Sequence, residues 1–426
     1  MSPPTQSGAP AGPRDAASRP SPRTAPSLSQ WQLVWRRFRR HRLAVAALYA
    51  IAVMYGVAAL AELIAPYGAN WRYLPRAWSP PQTPRYSLEH GLHVLGLEKR
   101  VDPVTFQVTY VENPNDVVPL GFFVRGQHYR FWNLLQWDRH LLGVDLEAYR
   151  DLHPQFAAEA LAPPADDAHA SDGPPGEADR PESEARPHEE PPAPTFFLLG
   201  ADKYGRDLFT RLVYGARVSL SIGVVAIVVT FILGIAIGGV SGYVGGALDN
   251  AIQRAIEIIN SFPRLPLWLA LGAALPRHWS PLQVYFGITI VLALLGWTGL
   301  ARVVRGKLLS LREEDYAVAA RLIGAGHARI IFRHLLPGFT SHVIVALTLS
   351  VPAMILGETS LSFLGLGLRP PVVSWGVMLQ DCMNMQVVAN YPWLLMPVVF
   401  IVAVVLACNF LGDGLRDAAD PYSERA

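Results

Sequence analysis

Cysteine is nearly absent: there are two in 426 residues. Cys408 sits inside an apolar run and Cys382 in a loop, an arrangement that speaks against a disulfide framework and against a thiolate metal site. Charge is scarce as well. Asp, Glu, Lys and Arg make up 16% of the chain and the formal net charge is +2. With no basic stripe interleaved with aromatics, a nucleic-acid partner is excluded. Also missing are the spacings that carry chemistry. There is no His-Glu-x-x-His, no Gly-x-Ser-x-Gly and no Cys/His group at metal-ligand spacing, and His90, His93, His128, His140 and His153 are scattered. The segment RVVRGKLLS pairs Gly306 with Lys307, but Ala301 stands at the upstream glycine position of a phosphate loop and Leu308 where Ser or Thr is needed. The chain thus offers no catalytic, cofactor-binding or metal-binding residues, and any ATP-driven work would fall to a partner.

Apolar residues, by contrast, are abundant at 51%. They cluster in nearly uncharged runs of about twenty, long enough to cross the roughly 30 Å hydrocarbon layer as helices. An all-α integral membrane protein follows. Residues 1–29, rich in Pro, Ser, Ala and Gly, are expected to be disordered. Residues 30–65 hold a basic N-terminus and a first span, LAVAALYAIAVMYGVAALAELIA, too long for a signal-peptide core. Arg36, Arg37, Arg39, Arg40 and Arg42 precede it, which places the N-terminus in the cytoplasm.

Residues 66–156 mix β-branched and aromatic residues with Pro, Asn and Gly, and read as a small β-containing external insertion. Residues 157–195 are acidic and Pro-rich and are expected to be a disordered loop. Residues 196–426 form the membrane domain, where apolar segments at 218–243, 252–275, 282–304, 342–366 and 393–411 bring the count to six spans. The segment 252–275 is the weakest. It carries Arg254, Glu257, Pro263, Arg264 and Pro266, and is expected to begin at the interface and span only after the proline break. Six spans put both termini in the cytoplasm. They put the connection between the fourth and fifth spans there too, with Arg302, Arg305, Lys307, Arg312, Arg321, Arg329 and Arg333, where positive charge belongs.

That connection, residues 305–338, is patterned. Ser310 followed by Glu313 matches a capping box, and Glu313, Glu314 and Asp315 suit the positive end of a helix dipole, so a helix is expected to begin just after Ser310. It would present Tyr316, Ala319, Ala320 and Ile323 on one small apolar face and end at Gly324. A second helix is expected over 327–336, with Arg329 and Arg333 four apart and Pro337 helping to end it. Two short helices joined at a Gly-Ala-Gly turn make a rigid knob suited to another protein's cleft.

The segment DYAVAARLIGAGHARIIFRHLLP resembles the cytoplasmic EAA loop of bacterial ABC importer permeases, with Ala319, Ala320, Gly324, Leu336 and Pro337 at the recurring places. Val318 replaces the frequent glutamate and His334 a frequent aliphatic residue. More narrowly, LLGADKYGRDLFTRLVYGARVSLSIG, GETSLSFLGLGLRPPVVSWGVML and the N-terminal RRFRRHRLA are similar to the C-type permease subunit of oligopeptide and dipeptide importers, over residues 35–65 and 198–421. The resemblance implies the six-helix type I ABC importer fold in a bacterial inner membrane. It also implies coupling to ATPases through Asp315, Ala319, Ala320, Gly324, Arg329, Arg333 and Pro337. The partners implied are a B-type permease subunit, two cytoplasmic ABC ATPases that use the ATP, and a periplasmic solute-binding protein, besides membrane lipid. Substrates implied are di- or oligopeptides, with nickel complexes or sugars as the alternative.

Glu358 is the most conspicuous acid inside a span and so a gate candidate or a helix clamp, and Pro352 with Gly357 could bend its helix. Gly234, Gly238, Gly239 and Gly242 are expected to permit close helix approach. Arg206, Asp207 and Arg211 read as a solvated amphipathic helix at the external surface. An ion-coupled secondary transporter would need more buried charge than the spans contain.

Overall fold

The computed structural model describes residues 30–101, 103–104, 108–132, 134–153, 194–326 and 329–419. The expected disordered tail 1–29 and almost all of the acidic loop 157–195 lie outside the described residues. Helix α1 (Gln30–Phe38) leads into α2 (Arg42–Ala59), which a break at Leu60 separates from the short α3 (Ala61–Ile64). Four strands follow, β1 (Arg85–Ser87), β2 (Gly91–Val101), β3 (Val108–Phe131) and β4 (Leu135–Val144), in an antiparallel meander of order β1-β2-β3-β4. The insertion is therefore a sheet, as its β-branched and aromatic residues predict. Helix α4 (Leu146–Leu152), N-capped by Asp145, closes it, and Val94, Val118, Leu120, Tyr149 and Phe196 form its core.

The membrane domain contains α5 (Leu208–Val244), α6 (Gly246–Ser261), α7 (Arg264–Ala273), α8 (Pro281–Leu311), α9 (Asp315–Leu322), α10 (Leu336–Phe363), α11 (Trp375–Met378), α12 (Met385–Asn390) and α13 (Met396–Ala419). Among the described residues, five helices are long and apolar enough to cross a membrane: α2, α5, α8, α10 and the 392–419 segment that contains α13. The sixth crossing is less obvious, but the packing of α5 on α8 requires it. Tyr285 Oη donates to Ser221 Oγ near one end of this pair. Further along, a Cβ at Gly234 would meet Leu300, one at Gly238 would lie 2.5 Å from Ala301 O, and one at Gly242 2.8 Å from Arg305 O. The glycine notches accept α8 in register, so the two helices run parallel. Parallel neighbours need a return path, and α6 with α7 supplies it. Their 16 and 10 residues reach about 39 Å at 1.5 Å per residue, despite the break at Phe262 and Pro263.

An even number of crossings also agrees with the chain ends. Phe38 and Ala44 share a buried cluster with Ala418, and a Cβ at Gly414 would collide with Ala44, so the first and last described helices meet on one side of the bundle. On that side, Asp249 of α6 accepts a bidentate pair from Arg305 Nε and Nη2, both at 2.6 Å, and Ser241 Oγ donates to it at 2.5 Å. The break between α5 and α6 is thereby tied to the end of α8.

Candidate functional site

Helix α8 runs on to Leu311, so Ser310 lies inside it and the expected capping box there does not form. The reason is packing: Val304 and Leu308 are buried against α5 and carry the helical face past the serine. The capping box that does form is Ser280 with Gln283, at the start of α8. Helix α9 begins instead at Asp315, behind Glu314, whose side chain makes no cap. It ends as predicted. Gly324 takes φ +81°, Ala325 N donates to Ala320 O and Gly324 N to Arg321 O, both at 3.0 Å, which is the Schellman pattern.

Of the four residues expected on the presented face, three are displayed and Ala320 is turned inward. Ala317 and Ala320 pack with Leu308, Ile330, Leu335 and Phe339, while Tyr316, Ala319 and Ile323 point away. Asp315 and Ala319 are exposed and Ala320 is buried. Arg329 and Arg333 are exposed on the segment that follows, which is a π-helix over Ile330–Leu335. Pro337 does not end that segment. It stands in the first turn of α10, where a missing amide costs nothing, and the backbone breaks two residues later at Phe339, with φ −127° and ψ 16°.

What the helical pattern did not single out on the outer surface of this knob is Leu322 beside Ile323, with Phe332 near the arginines. Leu322 and Ile323 are 83% and 85% exposed and Phe332 57%, among Arg321, Arg329 and Arg333. The available signal was an apolar pair directly before a helix-ending glycine. Arg321 Nη2 donates to Arg312 O at 2.5 Å, Arg312 Nη1 to Gly242 O at 3.3 Å, and the Arg321 guanidinium lies 5.6 Å from the Tyr243 ring. The knob is therefore braced against the end of α5.

Glu358 is fully buried at the other end of α10. Ser362 Oγ and Ser374 Oγ donate to its Oε1, both at 2.8 Å, and Ser219 Oγ to its Oε2 at 3.2 Å. The same three hydroxyls accept the amides of Leu368, Val377 and Trp375. One carboxylate thus fastens α10 to α5 and to the start of α11. Pro352 and Gly357 keep helical backbone angles, and the residue of α10 that departs from them is Phe339. Gly357 instead allows a close approach, since a Cβ there would lie 2.7 Å from Leu292 Cδ2 and 3.1 Å from Trp268.

The expected solvated helix at Arg206, Asp207 and Arg211 is corrected too. Asp202, Asp207 and Arg211 are buried. Asp202 accepts from Tyr204 N, Arg206 N and Arg206 Nε at 2.7–3.1 Å, and Arg211 Nη1 lies 3.4 Å away. Asp207 caps α5 through Thr210 N at 2.8 Å, and burial pushes its carboxyl up to about 7. Residues 73–79 of the insertion cover this turn: Trp78 N donates to Asp202 O and Tyr73 N to Gly205 O.

Residues 234–424 match the family of binding-protein-dependent transport system inner membrane components, and residues 29–81 match the N-terminal membrane domain of oligopeptide transport permease C. The dipeptide transport system permease protein DppC of Bacillus subtilis is 40% identical over 227 residues, 53% of this chain and 69% of the relative. The oligopeptide permease OppC of the same organism is 38% identical over 52% of this chain and 71% of its own length. OppC of Haemophilus influenzae is 40% identical over 54% and 72%. The chain belongs to the binding-protein-dependent inner membrane components, the permease subunits of ABC transporters, and within them to the oligopeptide permease C branch.

Proposed function

We propose that this chain forms half of the translocation pathway of an ATP-driven importer of di- or oligopeptides in a bacterial inner membrane. The knob of α9 and the π-helical segment docks into a separate ATPase. A homologous B-type permease subunit supplies the other half of the pathway, two cytoplasmic ATPases supply the energy, and a periplasmic solute-binding protein delivers the substrate. The peptide class rests on the relatives' names. The docking role rests on one observation: Leu322 and Ile323 stand more than four-fifths exposed on a helix whose other face is buried and whose end is locked by Gly324. Large aliphatic side chains displayed on a rigid, basic-rimmed element suit a partner's apolar groove.

Asp315 and Ala319 lie on the displayed side, Ala320 and Gly324 hold the knob in shape, and Arg329 and Arg333 form its rim. Pro337 begins the span that the knob would drive, and the break at Phe339 is where that span can flex. Glu358, Pro352 and Gly357 belong in this reading to the joint at its far end, around which the pathway opens.

The test is copurification of the ATPases with the permease pair, using Leu322→Asp and Ile323→Asp. A charge placed in an apolar interface costs at least about 2 kcal/mol, roughly thirtyfold in affinity. Both variants are expected to lose the ATPases while keeping the B-type subunit; undiminished ATPase recovery overturns the docking role. ATP-dependent uptake of labelled peptides, rather than nickel complexes or sugars, by reconstituted vesicles tests the substrate class.

A further inference from the structure

The insertion's long hairpin, β3 with β4, does not stand away from the bundle. Its contacts descend along the chain that leaves the first span. Gly68 N donates to Gln127 Oε1 at 3.1 Å, His140 Nδ1 donates to Ala65 O at 2.5 Å, and Trp132 Nε1 donates to Ala59 O at 3.0 Å. Ala59 is the last residue of α2. As β3 runs toward its turn it therefore approaches the membrane-spanning helix, and its apex lies at the level where that helix ends. Trp132 also stacks 4.7 Å from the Arg217 guanidinium, which is itself held by Glu62 through two bonds of 2.6 Å and by the carbonyls of Ala58 and Ala59. The apex is thus fixed in place by a charge cluster at the mouth of the first two spans.

What the apex displays is apolar. Leu134 is 84% exposed, Leu135 67%, Trp132 53% and Trp137 49%. Among the described residues nothing covers most of Leu134 or Leu135, the two tryptophans stay half-exposed, and Arg130 is exposed beside them. Tryptophan favours the headgroup region of a bilayer, where its ring is in apolar surroundings and its N–H is satisfied, and arginine there meets lipid phosphates. The helix it leans on, α2, is also the least covered of the five candidate spans, at 17% buried.

We infer that the β3–β4 hairpin tip is an interfacial anchor, with Leu134 and Leu135 in the headgroup and upper acyl region of the leaflet on the insertion's side and Trp132 and Trp137 at its boundary. The anchor fixes the height of the insertion over the membrane domain. It requires only that α2 span the bilayer, and so stands apart from the docking role of α9.

Spin labels test it, on the full chain with its partner permease in nanodiscs of phosphatidylethanolamine and phosphatidylglycerol. The background is Cys382→Ala with Cys408→Ala, and the label sites are Leu134→Cys, Leu135→Cys and Val104→Cys. Val104, in the turn between β2 and β3, is the aqueous reference. Relaxation by oxygen is expected to exceed relaxation by a water-soluble nickel chelate at 134 and 135, with the order reversed at 104. Nickel access at 134 and 135 equal to that at 104 would mean a solvated tip, and shielding from both reagents would mean a tip covered by protein. Either result overturns the proposal.

Discussion

Three serine hydroxyls converge on Glu358, each donating to the carboxylate while accepting a backbone amide. An arrangement of this kind can be satisfied by an amide as well as by a carboxylate. In Glu358→Gln the side-chain oxygen accepts from Ser362 and Ser374, and the NH2 donates to Ser219, whose own O–H then turns to a carbonyl one turn back in its helix. Thermal unfolding of the solubilised complex is expected to shift by less than about 1 kcal/mol, and transport to survive. Glu358→Ala leaves three buried hydroxyls without their acceptor and is expected to cost about 2–3 kcal/mol. Loss of transport in a stable Glu358→Gln protein would instead show that the charge itself works in the pathway. The acid was legible in the sequence because a carboxylate inside a span is conspicuous. Its partners were not, because Ser219 and Ser374 lie 139 and 16 residues away and serine carries no signal of its own.

Helix boundaries show the same limit one level up. Ser310 and Glu313 have the spacing of a cap, yet Leu308 is buried on α5, and tertiary packing extends the helix through the motif. Ser280 and Gln283 have that spacing too, and there the chain does leave a loop. A pair of single substitutions separates the two. Ser280→Ala removes an acceptor from the Gln283 amide and is expected to lower stability by about 1 kcal/mol. Ser310→Ala exchanges an exposed serine in the last turn of α8 for a better helix former and is expected to be neutral or to stabilise by about 0.5 kcal/mol. Thermal unfolding of both variants in the same detergent reads the difference. Gly324 was legible where Ser310 was not because its role is a backbone conformation, φ +81°, that few other residues adopt. The inward turn of Ala320 on α9 was not legible for a third reason. With eight residues the helix has just over two turns, and either alanine face suits a packed surface until the position of α8 is known.

At the scale of the molecule, the decisive relation is that α5 and α8 lie parallel through the notches at Gly234, Gly238 and Gly242. The chain must then return between them, so the broken pair α6 and α7 has to cross even though neither helix alone is long enough. Hydropathy saw this segment only weakly, because Arg254, Glu257 and Pro263 interrupt it. The meeting of Phe38 and Ala44 with Ala418 independently demands an even count. Together these fix which parts share a side: α1, the end of α13, the Asp249–Arg305 pair and the α9 knob on one, and the β-sheet insertion with the Asp202 turn on the other. Arg36, Arg37, Arg39, Arg40 and Arg42 before α2 and Arg302, Arg305, Arg312, Arg321, Arg329 and Arg333 in the short connection around α9 lie on the first side, and on the positive-inside tendency, which counts such short segments, we propose that this side is the cytoplasmic one. Single cysteines in a Cys382→Ala, Cys408→Ala background report this directly through a membrane-impermeant maleimide. Leu88→Cys, 99% exposed on the insertion, is expected to react in intact spheroplasts. Leu33→Cys on α1 and Leu322→Cys on α9 are expected to react only after permeabilisation. Reaction of Leu33→Cys and Leu322→Cys on opposite sides would mean an odd number of crossings, and with it a different path for the chain between α5 and α8.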